Sequence, residues 1–254
     1  MAFTVVGAGR IGRVLADRAR RAGNEVVLVT REENRAAIEE RGGEGPILLA
    51  VREEHLADLV PRLHPSHGER LVFLQNGFVG EWMERAEAAG RGLLHFNAAA
   101  DGTVRVLLPS VFGGSAAARE ACAVLDREGI PSRFEPDLDR LRVEVIRKAL
   151  WSCVPSILAA WKKVPVGALF DRFGPEVEML TRECVAVASA VFAVEVDVSD
   201  LLASLRKMAA ALPDYPGSSG AREFRNLWIA RNARERGLRT PLNDRILRDL
   251  GETR

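Results

Sequence analysis

A chain of 254 residues holds one large domain or two small ones. With 47% hydrophobic and 28% charged residues it has the composition of a soluble globular protein, long enough to bury a core without disulfides or metal. Lys and Arg number 36 against 35 Asp and Glu, a net charge of +1, so neither nucleic acid nor a membrane surface is expected as an electrostatic partner. Cys122, Cys153 and Cys184 are widely spaced and form no CxxC or Cys/His set, which predicts no disulfide framework, no metal site and a reducing, cytoplasmic setting. No run reaches the roughly 18 apolar residues of a membrane span. Arg10, Arg13 and Asp17 break the first apolar stretch, so no signal peptide is expected.

Phe3 to Val6 reads as a strand, followed by Gly7-Ala8-Gly9-Arg10-Ile11-Gly12 and a helical pattern that stops at Gly23. Glu25 to Thr30 is a second strand, and residues 31–41 read as a short helix. Ile47 to Val51 is a third strand, with a helix near 53–63. Leu71 to Leu74 is a fourth, ending in Gln75-Asn76-Gly77. A helix near 80–89 precedes strands at 92–96, 103–108 and 111–113. A helix over 115–128 and a strand near 131–134 follow. Beyond about residue 137 strand signals vanish. Helices are expected over 138–161, 174–193, 198–211 and 218–236, with prolines at their boundaries. The predicted architecture is α/β: a Rossmann-type doubly wound sheet over 1–135, then an all-α domain over 136–254.

A strand, Gly7-x-Gly9-x-x-Gly12 and a helix in one unit are what a dinucleotide site requires. Gly7 allows the tight turn, Gly9 lets the backbone approach a diphosphate, and Gly12 lets the helix pack on the sheet. The helix start offers free N–H groups to the anion. Cofactor choice is read at the end of the second strand. Val29-Thr30-Arg31 has no acid there for a ribose hydroxyl, and Arg31 presents a fork suited to a 2′-phosphate. Arg52, past the third strand, is placed to close on the same group. This predicts NADP(H) over NAD(H). Gln75 and Asn76 end the fourth strand, where ligands bind in such sheets, and Asn76 can both donate to and accept from a nicotinamide or substrate oxygen.

The GAGRIG loop, the mid-chain Leu74-Gln75-Asn76-Gly77 and Lys148 in the helix that opens the second domain together resemble the ketopantoate reductase (2-dehydropantoate 2-reductase) family. Tyr215-Pro216-Gly217-Ser218-Ser219 is similar to that family's Ser-Ser segment, and Gly237 to Asn243 to its closing Gly-x-x-x-Pro-x-Asn. The resemblance implies NADPH between two domains and hydride transfer to the keto carbon of a 2-oxo acid. In the family this is ketopantoate, reduced to pantoate on the route to pantothenate and coenzyme A. It also implies paired helical domains in a homodimer. The family's catalytic lysine opens a Lys-x-x-x-Asn-x-x-x-Asn pattern. Lys148 matches, and Ser152 and Ser156 stand at the asparagine positions.

The spacing makes sense by itself. Positions i, i+4 and i+8 lie near one helix face, so Lys148, Ser152 and Ser156 form a polar stripe among Leu150, Trp151, Val154 and Ile157. Lysine suits a general acid because partial burial brings an ammonium group toward neutral pKa, which arginine does not match. Only four of the 36 basic residues are lysines. Pro155 is expected to kink this helix. The serines, a shortened segment between the second and third strands, and Asn97 in a His95-Phe96-Asn97 loop all depart from the family pattern. After Ser219, Glu223 is the nearest acid to the family's ligand-binding glutamate. The competing readings are a dehydrogenase of a different keto or imino acid, and a non-catalytic NADP-binding protein.

Overall fold

The computed structural model describes residues 2–30, 38, 43–79, 89–99, 101–220 and 222–251, without the side chains of 64–66 and 222. The chain forms two compact units. One comprises Met1–Gln75 and Val79–Leu141, the other Asn76–Phe78 and Arg142–Arg254. The helices expected at 31–41 and 80–89 fall almost wholly outside the described residues.

The first unit is built on a seven-stranded sheet. Its strands are β1 (Ala2–Val6), β2 (Glu25–Val29), β3 (Ile47–Leu49), β4 (Leu71–Phe73), β5 (Gly90–Leu93), β8 (Ser110–Gly113) and β9 (Ser132–Glu135), in the order β2-β1-β3-β4-β5-β8-β9. Every neighbouring pair is parallel except β5 and β8. The central strands β3, β4 and β5 are buried throughout, as expected of strands covered on both faces, while edge strand β2 is only half-buried. The order reverses at β1, whose neighbours are β2 and β3. That is the switch point at which a doubly wound sheet opens a crevice for ligands.

Helix α1 (Arg10–Arg21) buries Gly12, Val14, Leu15, Ala16 and Ala19 against this sheet, and α3 (Ala116–Arg127) buries Ala117, Ala118, Ala121, Cys122, Val124 and Leu125. Helix α2 (Leu56–His67) follows a short 3₁₀ turn at Glu53–His55. Strands β6 (Phe96–Ala98) and β7 (Val104–Val106) form a separate antiparallel hairpin. The stretch expected as one strand over 92–96 is therefore divided between the main sheet and this hairpin.

Helix α4 (Leu138–Trp151) carries the chain into the second unit. There α5 (Ile157–Lys162), α6 (Leu169–Arg172), α7 (Gly174–Phe192), α8 (Val198–Ala211), α9 (Asn226–Glu235) and α10 (Pro241–Asp249) follow. Two expectations are corrected here. The helix read over 218–236 begins only at Asn226. Gly217 adopts φ +76°, and the Ser218 N–H is spent on the Ser156 carbonyl, 3.0 Å away, so residues before 220 form a loop. The final helix α10 was not anticipated. It has Pro241 in its first turn and buries Leu242, Ile246 and Leu247 on one face. Among the described residues no single helix is long and apolar enough to cross a membrane.

Candidate functional site

In the first unit, β1 delivers the chain to the glycine loop. Gly7 adopts φ +109°, its N–H bonds the Val29 carbonyl at 2.9 Å, and a Cβ there would stand 2.5 Å from the Ala50 oxygen. A Cβ on Gly12 would overlap the Gly7 carbonyl. Both positions therefore require glycine for steric reasons. Gly9 differs: a Cβ there meets nothing within 4 Å. It is the N-cap of α1, with no side-chain cap, and no acidic residue lies in the first helical turn. The leading N–H groups of α1 thus face open space with the positive end of the helix dipole behind them, a cradle that fits a diphosphate. Ala8 and Ile11 are half-buried and Arg10 is exposed beside the opening. Arg13 turns its Nε to the Ala8 carbonyl at 2.9 Å and braces the loop.

Arg31, expected to select the cofactor, lies outside the described residues. Arg52 is exposed at the start of the 3₁₀ turn, and its Nη1 lies 3.5 Å from Glu54 Oε1. Gln75 is buried. Its Nε2 donates to the carbonyls of Leu49 (2.8 Å) and Val51 (3.1 Å), so the side chain ties the end of β4 to the loop that carries Arg52. Asn76 is exposed directly after it, and Asn97 is exposed on β6.

Sequence reasoning missed Arg91. It sits inside β5 at 1% exposure, and its Nη2 donates to the Gln75 carbonyl at 2.7 Å. Burial pulls its pKa down to about 10, partly offset by the nearby Glu53 carboxylate, and leaves it cationic at neutral pH. Glu53 is itself buried. A charged residue in a strand that reads as apolar was the available signal. Its partners are distant in sequence, so their pairing was not legible.

In the second unit, Lys148, Ser152 and Ser156 are all buried, with exposures of 7%, 8% and 3%. At Pro155, where a kink is expected, the chain makes a π-turn over Ser152–Ser156 and continues into α5. Proline has no N–H to give the preceding turn, and the wider turn absorbs the loss. This changes the geometry of the stripe. At about 100° per residue, a straight α-helix would put Ser156 roughly 80° round from Lys148. One residue absorbed in a π-turn takes back about 100°, which brings Ser156 to within roughly 20° of the Lys148 direction.

The π-turn is braced by the loop at 215–219. Ser156 Oγ donates to the Ser218 carbonyl at 3.3 Å, and the Ser218 N–H donates to the Ser156 carbonyl. A Cβ on Gly217 would overlap that same Ser156 oxygen. Trp151 stacks on Tyr215 with ring centroids 6.3 Å apart. Ser219 is half-buried, whereas Glu223 is exposed in a 3₁₀ turn. The structure thus joins Ser218 to Ser156, on the helical stretch that also carries Lys148 and Ser152. Among the described residues no group of His, Cys, Asp and Glu has the makings of a metal site.

No protein-family model matches the sequence, and no curated protein matches it. Solved structures do. The chain is similar to a D-mandelate dehydrogenase in ternary complex with NADH and anilino(oxo)acetate, with 19% identity and TM-score 0.74 over 98% of this chain and 97% of that one. It is similar to a ketopantoate reductase from Ralstonia eutropha, with 20% identity and TM-score 0.72 over 97% and 96%. It is also similar to a dimeric ketopantoate reductase from Staphylococcus aureus, with 17% identity and TM-score 0.74 over 98% and 97%. At these identities the likeness is one of fold: the α/β unit and the helical unit follow the ketopantoate reductase fold from end to end.

Proposed function

We propose that the chain is an oxidoreductase of the ketopantoate reductase kind, reducing a 2-oxo acid with NADPH. The observation that carries this reading is the alignment of buried Lys148 with Ser152 and Ser156 across a π-turn, in a chain that also holds an uncapped glycine-loop helix start. The bound nicotinamide would supply hydride to the keto carbon. The Lys148 ammonium would protonate the carbonyl oxygen and stabilise charge developing on it, giving a 2-hydroxy acid. Gly7 to Gly12 would hold the diphosphate, and Arg31 and Arg52 the 2′-phosphate. Gln75 would act from beneath, fixing the loop that carries Arg52. Asn76, Asn97, Ser152, Ser156, Ser219 and Glu223 are the proposed substrate contacts, and a homodimer is the proposed assembly.

Ketopantoate is the first substrate to try. A bulkier 2-oxo acid is the second, because two serines leave more room and fewer hydrogen bonds than two asparagines. The D-mandelate dehydrogenase among the similar structures holds anilino(oxo)acetate, a carboxylate next to a carbonyl on a large substituent. The test is NADPH oxidation with ketopantoate and a panel of aliphatic and aromatic 2-oxo acids, beside Lys148→Ala. Turnover that falls about 10²-fold in the variant is expected for loss of a general acid. Tight NADPH binding without turnover of any 2-oxo acid would overturn the reductase reading in favour of a binding-only protein.

A further inference from the structure

We infer that Asn226, held by Asn243, is a positioning residue: it fixes the π-turn at 152–156 and so sets Ser156 in line with Lys148. In an α-helix the Ile157 N–H would bond the Cys153 carbonyl. Here it bonds Val154 instead, and the Cys153 carbonyl is taken by the Asn226 side-chain amide at 2.9 Å. The same Nδ2 donates to Asn243 Oδ1 at 2.8 Å, and Asn243 Nδ2 returns a bond to the Asn226 carbonyl at 3.1 Å. Both asparagines are buried, at 1% and 0% exposure. Asn243 is fixed in turn by Glu183 of α7, whose two carboxylate oxygens accept the N–H groups of Leu242 and Asn243, each at 2.9 Å.

The arrangement has a direction. Glu183 caps α10, α10 holds Asn243, Asn243 orients the Asn226 amide, and Asn226 satisfies the one carbonyl that the π-turn frees on that side. Without that donor the cheaper conformation returns the Cys153 carbonyl to the Ile157 N–H, because a buried unpaired carbonyl is costly. The turn then tightens and Ser156 swings away from the Lys148 face. Neither asparagine is among the proposed substrate contacts, so the effect passes through the backbone of 152–156 alone.

This role rests on the proposed function, and the experiment separates the two. Asn226→Leu keeps the volume and removes the donor. Asn226→Leu with Asn243→Leu replaces both partners by apolar groups and keeps the core folded if the single variant does not. Asp197→Ala is the control: it removes the side-chain cap of α8, a comparable loss of stability that does not act on Asn226, Asn243 or the Cys153 carbonyl. The first readout is alkylation of Cys153 by iodoacetamide in the folded protein, followed by peptide mass with Cys184 as internal reference. The expected result is a rate at least tenfold faster at Cys153 in the Asn226 variants and unchanged in Asp197→Ala. The second readout is kinetic. The kcat for the 2-oxo acid falls about tenfold in the Asn226 variants while the Kd for NADPH stays constant. Cys153 labelling that matches the control overturns the role whatever the kinetics show. Faster labelling with unchanged kcat overturns the alignment with Lys148. If the wild-type protein reduces no 2-oxo acid, the function reading falls, and faster Cys153 labelling still upholds Asn226 as the residue that fixes the turn.

Discussion

Phe78 lies stacked on Trp228, ring centroids 4.2 Å apart, and its N–H donates to the Phe224 carbonyl at 2.8 Å. Phe192 closes the cluster at 6.0 Å from each ring. Residues 76–78 follow strand β4, yet their packing partners are helical residues far along the chain. Asn76 stands two residues before the ring that this cluster anchors. Phe78 is 2% exposed, so Phe78→Ala is expected to cost about 3–5 kcal/mol in urea unfolding, the range for removing a buried aromatic. Phe78→Leu retains most of the volume and is expected to cost about 1–1.5 kcal/mol. At temperatures where Phe78→Leu is folded, its KM for substrate rises while NADPH affinity holds.

Two glycines of the loop make separable predictions. Gly12→Ala places a methyl group on the Gly7 carbonyl, so both thermal stability and nucleotide binding are expected to fail. Gly9 has an ordinary extended backbone and open space around its Cβ position. Gly9→Asp is thus expected to fold with an unchanged or slightly raised Tm, because aspartate is a good N-cap. It should weaken NADPH binding by at least about tenfold, since the new carboxylate meets the diphosphate at the helix start. Calorimetry of binding beside thermal unfolding checks both, and a parallel loss of Tm and affinity in Gly9→Asp would contradict the assignment.

On the proposed function, preference for NADPH over NADH rests on Arg31 and Arg52. Arg52→Ala and Arg31→Ala are each expected to raise the KM for NADPH about tenfold, the equivalent of one charge-assisted hydrogen bond of about 1.4 kcal/mol. The KM for NADH should stay within about twofold. Equal effects on the two cofactors would remove the 2′-phosphate role.

Burial pushes the Cys153 thiol up to about 12 from an ordinary 9.0, and Cys184 well above that ordinary value. These groups are neutral in the folded protein over a range where the unfolded thiol has lost its proton. The unfolded chain then binds fewer protons, so their contribution is complete below about pH 9 and stability falls as pH rises toward 12. The slope reaches about 1.4 kcal/mol per pH unit for each such thiol. Urea unfolding between pH 8 and 10.5 measures it, and Cys153→Ala is expected to flatten the fall.

The fold was legible because its signals are local. A strand, three glycines and a helix lie within the first 21 residues, and 3.6-residue periodicity marks α7 and α8 almost to the residue. Lys148, Ser152 and Ser156 could be placed on one helix by counting. The π-turn could not, because Pro155 says only that an N–H is missing. Whether the helix breaks, kinks or widens depends on Asn226 and Ser218, which reach it from more than sixty positions away. The start of the helix expected over 218–236 was misplaced for the same reason: the Ser218 N–H goes to the Ser156 carbonyl and not along its own chain. Gln75 shows the limit at the level of one side chain. Its residue type admits a ligand contact, but its amide is committed to two backbone carbonyls of a neighbouring strand and loop.

The brace on the π-turn has a consequence for synthesis. The carbonyls of Cys153 and Ser156 are made early and their donors, on Asn226 and Ser218, late. Until residues 218 and 226 have been made, neither donor is present and the turn at Ser152–Ser156 lacks its brace. A nascent chain arrested before Gly217 would hold every strand of the seven-stranded sheet but neither donor to the turn at Ser152–Ser156.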